Sequence, residues 1–257
     1  MLTIGMLSVT FRQLTCEQIV RLVKEAELKA IEWGGDKHVQ HGRYDEAQRV
    51  RRLTEDEGLA VASYGSYYRA GVTDGSSPAF DVVLRTAAEL GAPAIRIWAG
   101  NKGSAVTTLD ERAMITADIA RVGELAGARG IAIHLEYHAK TLTDTAESTA
   151  LLLAETGHAN VRTNWQPPIP LSSNDRLKTL KAALPDLADL HVFHWLPGQQ
   201  LPLAEGAEEW LAYLKLARSD GRRRYAMLEF VKDSDPGQFL ADAAVLNRLV
   251  AESAKGE

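Results

Sequence analysis

Residues 94–137, which read AIRIWAGNKGSAVTTLDERAMITADIARVGELAGARGIAIHLEY, contain two short apolar runs separated by a segment of helical period. The runs AIRIWAG (94–100) and IAIHLEY (131–137) are rich in Ile and aromatic residues, which is typical of buried strands. Between them, Thr108 and Glu111 have the spacing of a capping box, and Gly130 ends the helical segment. This order of strand, helix and strand predicts two parallel neighbours joined by a crossover helix.

The same alternation extends in both directions and predicts eight strands over the chain. The strand candidates are residues 2–7, 30–34, 60–65, 94–100, 131–137, 161–165, 190–195 and 225–231. Eight strand–helix units in 257 residues match a (β/α)8 TIM barrel, so we interpret residues 1–257 as a single α/β barrel domain. A doubly wound open sheet is the competing fold, but no GxGxxG turn follows the first strand.

Further helix boundaries support this count. Thr15 with Gln18 repeats the capping-box spacing, and Ser77-Pro78 and Asp235-Pro236 place a capping residue before a proline. Gly91 and Gly157 each follow a helical run, where a left-handed backbone is favoured.

Composition excludes several classes of protein. A net charge of −5 disfavours nucleic acid as a partner, because the chain has no overall basic field. The single Cys16 forms no intrachain disulfide, and no apolar run approaches the roughly 20 residues of a membrane span. We therefore expect a cytoplasmic protein that does not bind membranes, and homo-oligomer formation stays open.

Ionisable side chains concentrate at the predicted carboxyl ends of three strands. These residues are His134, Glu136 and His138 on the fifth strand, His191 and His194 on the seventh, and Glu229 on the eighth. In a barrel these ends meet at one mouth, where active sites of such barrels lie. Carboxylate and imidazole groups converging there are suitable ligands for Mn, Mg, Co or Zn. His134 lies deeper in its strand, and we interpret it as a core residue.

Aromatic and polar residues at other strand ends predict the walls of a ligand pocket. The candidate substrate-binding residues are Trp33, His38, Tyr64, Arg96, Trp98, His138, Trp165, His194 and Trp195. Aromatic rings provide apolar walls for a small polyol, while the charged groups orient it. Glu32 and Arg96 are alternatively an ion pair inside the barrel.

The segments IEWGGDKH (31–38), HLEYH (134–138), LHVFHW (190–195) and LEF (228–230) resemble the xylose isomerase-like TIM-barrel superfamily. That group includes sugar isomerases, ketose 3-epimerases, inosose dehydratase, hydroxypyruvate isomerase and endonuclease IV. The resemblance implies a divalent metal held by residues at the ends of strands five to eight. The matching positions in this chain are Glu136, Gln166, His191 and Glu229.

The resemblance also implies that Glu136 and Glu229 act as the acid–base pair of a sugar isomerase or epimerase. Such an enzyme removes a proton next to a carbonyl and forms an enediolate, and dehydration of a polyol ketone begins with the same step. Gln166 departs from the family, which has Asp there, and a neutral amide should weaken metal binding. His194, where the family often has Asp, adds a nitrogen donor.

Two functions of other classes remain open. A carbohydrate-binding sensor would keep the pocket without turnover, and the loss of the family Asp at Gln166 is consistent with it. An endonuclease IV-like enzyme would need further ligands where Pro167-Pro168-Ile169 and Gly198-Gln199-Gln200 stand. For the sugar isomerase or epimerase and for the carbohydrate-binding sensor, the partner is a small sugar or polyol.

Overall fold

The computed structural model describes residues 1–255 of the chain. Within them, eight parallel strands close into a barrel, which confirms the predicted fold. The barrel strands are β1 (Leu2–Leu7), β2 (Ala30–Gly34), β3 (Ala60–Arg69), β4 (Ala94–Trp98), β5 (Ala132–Glu136), β6 (Val161–Trp165), β7 (Leu187–Val192) and β10 (Arg224–Leu228). A short antiparallel hairpin, β8 (His194–Leu196) with β9 (Gln199–Leu201), follows β7.

The barrel closes because β1 pairs with both β2 and β10. Helices connect successive barrel strands and cover the outside of the barrel. They are α1 (Cys16–Glu25), α2 (Tyr44–Asp56), α3 (Phe80–Leu90), α4 (Leu109–Gly127), α5 (Ala146–Thr156), α6 (Ser173–Ala183), α7 (Ala207–Arg218) and α8 (Pro236–Ser253). None of the helices within residues 1–255 combines the length and apolar composition needed to cross a membrane.

Most local start and stop signals act as the sequence predicts. Capping boxes form at Thr15 and Thr108, and Asp235 caps α8 ahead of its first-position proline. Gly91 and Gly157 end α3 and α5 in the left-handed conformation. These caps satisfy backbone groups that the helix itself leaves without partners.

Several predicted boundaries differ from the observed ones: the strands predicted at 60–65, 94–100, 131–137 and 225–231 are 60–69, 94–98, 132–136 and 224–228. Two further differences have a clear physical cause. Helix α3 begins at Phe80, because the Ser77 hydroxyl accepts a hydrogen bond from the Arg69 backbone instead of capping the helix. The seventh barrel strand is Leu187–Val192 and not 190–195. Asp189 interrupts the apolar pattern near the start of this strand. Its buried carboxylate accepts a hydrogen bond from the backbone of Tyr225 on the neighbouring strand.

Candidate metal and catalytic site

Three donors converge at the carboxyl ends of the barrel strands. Glu136 ends β5, His191 lies near the end of β7 and Glu229 directly follows β10. One ligand atom from each lies within 4.8 Å of the others, and all three residues are buried. Among residues 1–255 this is the one group of three or more such side chains with metal-site spacing.

The ring of His191 presents Nδ1 to the other donors. Nδ1 lies 3.4 Å from Glu229 Oε2 and 4.0 Å from Glu136 Oε1. Gln166, the residue after β6, places Oε1 3.2 Å from the same nitrogen. Two carboxylates, an amide oxygen and an imidazole nitrogen are a donor set that suits a divalent cation of the Mn, Mg, Co or Zn group.

For both Glu136 and His191, burial and the neighbouring charges shift the pKa in opposite directions. Burial by itself raises the pKa of Glu136, but Arg96 and then His191 lower it below its usual range. Burial by itself lowers the pKa of His191, while Glu229 and Glu136 raise it above its usual range. Glu136 is therefore a carboxylate at neutral pH, and the carboxylates beside His191 favour positive charge there.

A buried ion-pair chain holds Glu136 on the side away from His191. Arg96 on β4 donates through Nη1 to Glu136 Oε2, and through Nε to Glu32 Oε1 at 2.7 Å. The indole Nε1 of Trp98 also donates to Glu136 Oε2, at 2.5 Å. Oε2 is thus occupied by hydrogen-bond donors, while Oε1 faces His191.

The ion pair between Arg96 and Glu32 lies close to the backbone of β3 at Gly65. A Cβ built there would lie 2.6 Å from Arg96 Nη2 and 2.7 Å from Glu32 Oε1, shorter than side chains tolerate. Ser63, two residues earlier, donates to Glu32 Oε2 at 2.5 Å. The third strand thus leaves room for the ion pair and also supplies one of its hydrogen bonds.

A cavity of about 990 Å³ opens beside these donors. Glu136, Gln166 and Glu229 line it together with His138 on the loop after β5. Its apolar wall consists of Pro167, Pro168, Ile169, Pro170, Leu171, Phe193, Trp195, Pro197 and Phe230. The volume is that of a small-molecule site, with a few polar groups at one end of a mostly apolar surface.

Three residues around this mouth have left-handed backbone although none is glycine. They are Tyr67 with φ 56°, Lys140 with φ 61° and Phe230 with φ 48°. Such a conformation costs about 1–2 kcal/mol per residue, so surrounding contacts must hold it. For Phe230 these contacts include a backbone hydrogen bond to the Thr10 hydroxyl at 3.1 Å.

The structure brings eight of the sequence-predicted site residues together. Glu136, Gln166, His191 and Glu229 meet at the donor cluster, Arg96 and Trp98 contact Glu136, and His138 and Trp195 line the cavity. His138 also packs against Trp98, with ring centroids 5.4 Å apart.

The other five predicted site residues have partners elsewhere. Trp33 donates to Thr54 on α2, Trp165 donates to Thr179 on α6, and the Tyr64 hydroxyl donates to the Val39 carbonyl. These three rings pack between the barrel and its helices or loops. His38 contacts the Leu14 carbonyl, and His194, the first residue of the hairpin, packs against Gly206.

Sequence reasoning missed Asn164 and the apolar wall after β6. Asn164 Nδ2 lies 3.3 Å from His191 Nε2, on the far side of the ring from the donor cluster. The alternation of side chains along a strand was the available signal, since Asn164 and Gln166 share one parity. Pro167-Pro168-Ile169 carried no signal of its own, because apolar loop residues are common in any fold.

Comparisons with known proteins agree with this architecture. The family model described as a xylose isomerase-like TIM barrel matches residues 20–249. A curated 3-dehydroshikimate dehydratase from Bacillus anthracis is 29% identical over 170 residues, which are 61% of this chain and 59% of that protein. The chain thus aligns with less than two thirds of this relative's length.

Solved structures of low sequence identity share the fold. The probable 3-DHS dehydratase involved in petrobactin synthesis from Bacillus anthracis superimposes with a TM-score of 0.79 at 23% identity, over 96% of this chain and 99% of that one. An L-ribulose 3-epimerase superimposes with a TM-score of 0.72 at 19% identity, over 98% and 96%. The 3-keto-D-glucoside 4-epimerase from E. coli superimposes with a TM-score of 0.75 at 17% identity, over 96% of this chain and 99% of that one.

Proposed function

The chain belongs to the xylose isomerase-like TIM-barrel family, and from that premise we propose that it is a metal-dependent enzyme acting on a small polyhydroxylated ketone. Its reaction begins with removal of a proton from the carbon next to the carbonyl. The observation that carries this proposal is the cluster of Glu136, His191 and Glu229 beside a cavity of about 990 Å³. Sugar-modifying enzymes among the proteins of the same fold support the substrate class.

Glu136, Gln166, His191 and Glu229 are the residues that would hold the cation. Their donor atoms fit a divalent ion by chemical type, and those of the three ionisable residues also fit by mutual distance. When bound, a divalent cation stabilises the negative charge that develops on a carbonyl oxygen. The cavity beside the donors supplies the space in which a substrate carbonyl can approach them.

The contacts of the two carboxylates favour Glu229 as the base. Glu136 Oε2 accepts hydrogen bonds from Arg96 and Trp98, and the lowered pKa of Glu136 makes it a weak proton acceptor. Glu229 lines the cavity, and within residues 1–255 no lysine or arginine pairs with it. We assign proton abstraction to Glu229, and to Glu136 the roles of ligand and fixed negative charge.

This asymmetry favours dehydration over epimerisation. Epimerisation by two carboxylates needs both to exchange protons with the substrate, one on each face, and Arg96 opposes protonation of Glu136. Loss of a hydroxyl group next to the new carbanion needs one base and a proton for the departing oxygen. His138 lines the cavity and its Nδ1 lies 2.6 Å from the Ala139 carbonyl, so a ring that carries hydrogen on both nitrogens would donate its Nε2 proton to the departing oxygen.

The curated relative named 3-dehydroshikimate dehydratase supports the same outcome, and its substrate is the first compound to test. Ketose epimerisation or aldose–ketose isomerisation is the second candidate, because both Glu136 and Glu229 reach the same cavity. A sensor that binds sugar without turnover is the third, and the neutral Gln166 favours it.

One experiment separates these outcomes. The purified protein with Mn²⁺ is incubated in heavy water with 3-dehydroshikimate and with a panel of ketoses. Dehydration appears as loss of one water by mass spectrometry and as a new ultraviolet chromophore. Epimerisation appears as deuterium incorporated next to the carbonyl, and a sensor shows ligand binding with neither change.

The variant Glu229→Gln tests the assignment of the base. It keeps the size and one oxygen donor, and turnover should fall by about 10²-fold or more. Glu25→Gln, an exposed carboxylate on α1, is the matched control and should retain wild-type turnover. Full turnover by Glu229→Gln would remove Glu229 from the chemistry.

A further inference from the structure

We propose that Asn164 is a positioning residue for His191: its amide oxygen accepts a hydrogen bond from His191 Nε2–H, so that the Nδ1 lone pair faces the cation. This inference rests on the cation site of the proposed function. Asn164 is 2% exposed, and its amide lies 3.3 Å from His191 Nε2. Within residues 1–255 the side-chain hydrogen-bond partner of Asn164 is His191, and Asn164 lies opposite Glu136 in the pairing of β5 with β6.

The two nitrogens of His191 face different partners. Nδ1 faces Gln166 and Glu229 at 3.2 and 3.4 Å, whereas Nε2 faces Asn164. Nδ1 is therefore the nitrogen that would hold a cation among the carboxylates, and for that it must be free of hydrogen. The hydrogen of the neutral ring then lies on Nε2, and the nearby group that can accept it is the Asn164 amide oxygen.

An asparagine can serve both forms of the ring. In the structure Asn164 offers Nδ2 to Nε2, which suits a ring that carries hydrogen on Nδ1 and donates it to Gln166 or Glu229. Asn164 Oδ1 is buried and has no hydrogen-bond partner among residues 1–255. A half-turn of the amide exchanges its oxygen and nitrogen in nearly the same space, and the unused oxygen then accepts Nε2–H.

Other side chains at this position behave differently, which makes the proposal testable. A carboxylate at this position only accepts hydrogen bonds. It therefore pairs only with the form of the His191 ring that carries hydrogen on Nε2 and leaves Nδ1 for a cation. A leucine of similar size serves neither form. Partners of this kind typically contribute 10–100-fold to metal affinity.

The test uses the full chain, Zn²⁺ as a diamagnetic probe and ¹⁵N-labelled histidine. In the zinc-loaded wild type, NMR should show His191 with hydrogen on Nε2 and no hydrogen on Nδ1. Competition with a chelator should give a zinc Kd about tenfold or more higher for Asn164→Leu, and Asn164→Asp should restore tight binding together with the Nε2–H signal. Arg162→Gln, at the exposed position of the same strand, is the matched control and should keep the wild-type Kd.

Unfolding in EDTA first shows whether Asn164→Leu is folded, and Asn164→Ser replaces it if it is not. A wild-type Kd in the folded variant, or failure of Asn164→Asp to restore binding, overturns the role of Asn164. Glu229→Gln separates the two proposals. If it leaves the zinc Kd unchanged, the cation site itself is wrong, whereas a weaker Kd in Glu229→Gln with no effect of Asn164→Leu rejects only the positioning role.

Discussion

The amide oxygen of Gln166 lies on the face of His191 that Glu136 and Glu229 also approach. Replacing Gln166 with Asp should tighten Mn²⁺ binding at least tenfold, because a third carboxylate adds attraction and tenfold requires only about 1.4 kcal/mol. Isothermal titration of both proteins measures the change, with Gln166→Leu as the control that should bind more weakly. Equal or weaker binding by the Asp variant would show that residue 166 does not contact the cation.

Arg96 is a buried cation in the barrel interior. It is 3% exposed and pairs with two buried carboxylates, Glu32 and Glu136. Arg96→Met should destabilise the protein by about 3–5 kcal/mol, because removing the cation leaves both buried charges uncompensated. Urea unfolding in EDTA measures the loss.

The double variant Glu32→Gln/Arg96→Met distinguishes charge from packing. It removes one of the two stranded carboxylates, so its loss of stability should be smaller than that of Arg96→Met alone. An equal loss in the single and double variants would mean that Arg96 acts through its packing and not through its charge.

At the scale of elements, strand β10 begins at a paired arginine that ties it to the preceding turn. Arg224 donates to both carboxylate oxygens of Asp220, at 2.5 and 2.6 Å. This hydrogen bonding lowers the pKa of Asp220 to about 2. A carboxyl whose pKa is lower in the folded protein stabilises it above its ordinary pKa, and that contribution is lost as pH falls toward 2.

Asp220→Asn should therefore lower the Tm at pH 7, and its difference from the wild type should shrink between pH 4 and pH 2. Differential scanning calorimetry over this pH range gives the comparison. Asp56→Asn, an exposed carboxyl at the end of α2, is the control whose effect should stay small throughout. A difference for Asp220→Asn that is constant with pH would contradict the assigned ion pair.

At the scale of the whole molecule, the proposed cation site joins four neighbouring strands of the barrel. The proposed ligands come from β5, β7 and the ends of β6 and β10, so a bound cation would link segments that are far apart in sequence. Mn²⁺ at 100 times its Kd should stabilise the folded state by about 2.7 kcal/mol. For a chain of this size that is a rise in Tm of about 5–10 °C.

Thermal unfolding with and without Mn²⁺ measures this rise, and His191→Ala should abolish it. If His191→Ala shows the wild-type rise, the cation binds elsewhere on the protein.

Local sequence determined the barrel and most boundaries of its elements. The strands at 2–7, 30–34 and 161–165 were predicted to the residue, because an apolar run between turn signals can be identified within a few positions. The same local information placed Glu136, His191 and Glu229 at one mouth, since parallel strands that close into a barrel present their carboxyl ends together.

Only the tertiary structure decided which side chains meet. Trp33 and Trp165 follow the inward-facing Glu32 and Asn164, so the alternation along each strand turns both rings toward the helices. The pairing of Arg96 with Glu136 depends on which strands become neighbours and at what register. Those contacts join residues far apart in sequence, and closure of the barrel, not any local preference, brings their atoms within hydrogen-bond distance.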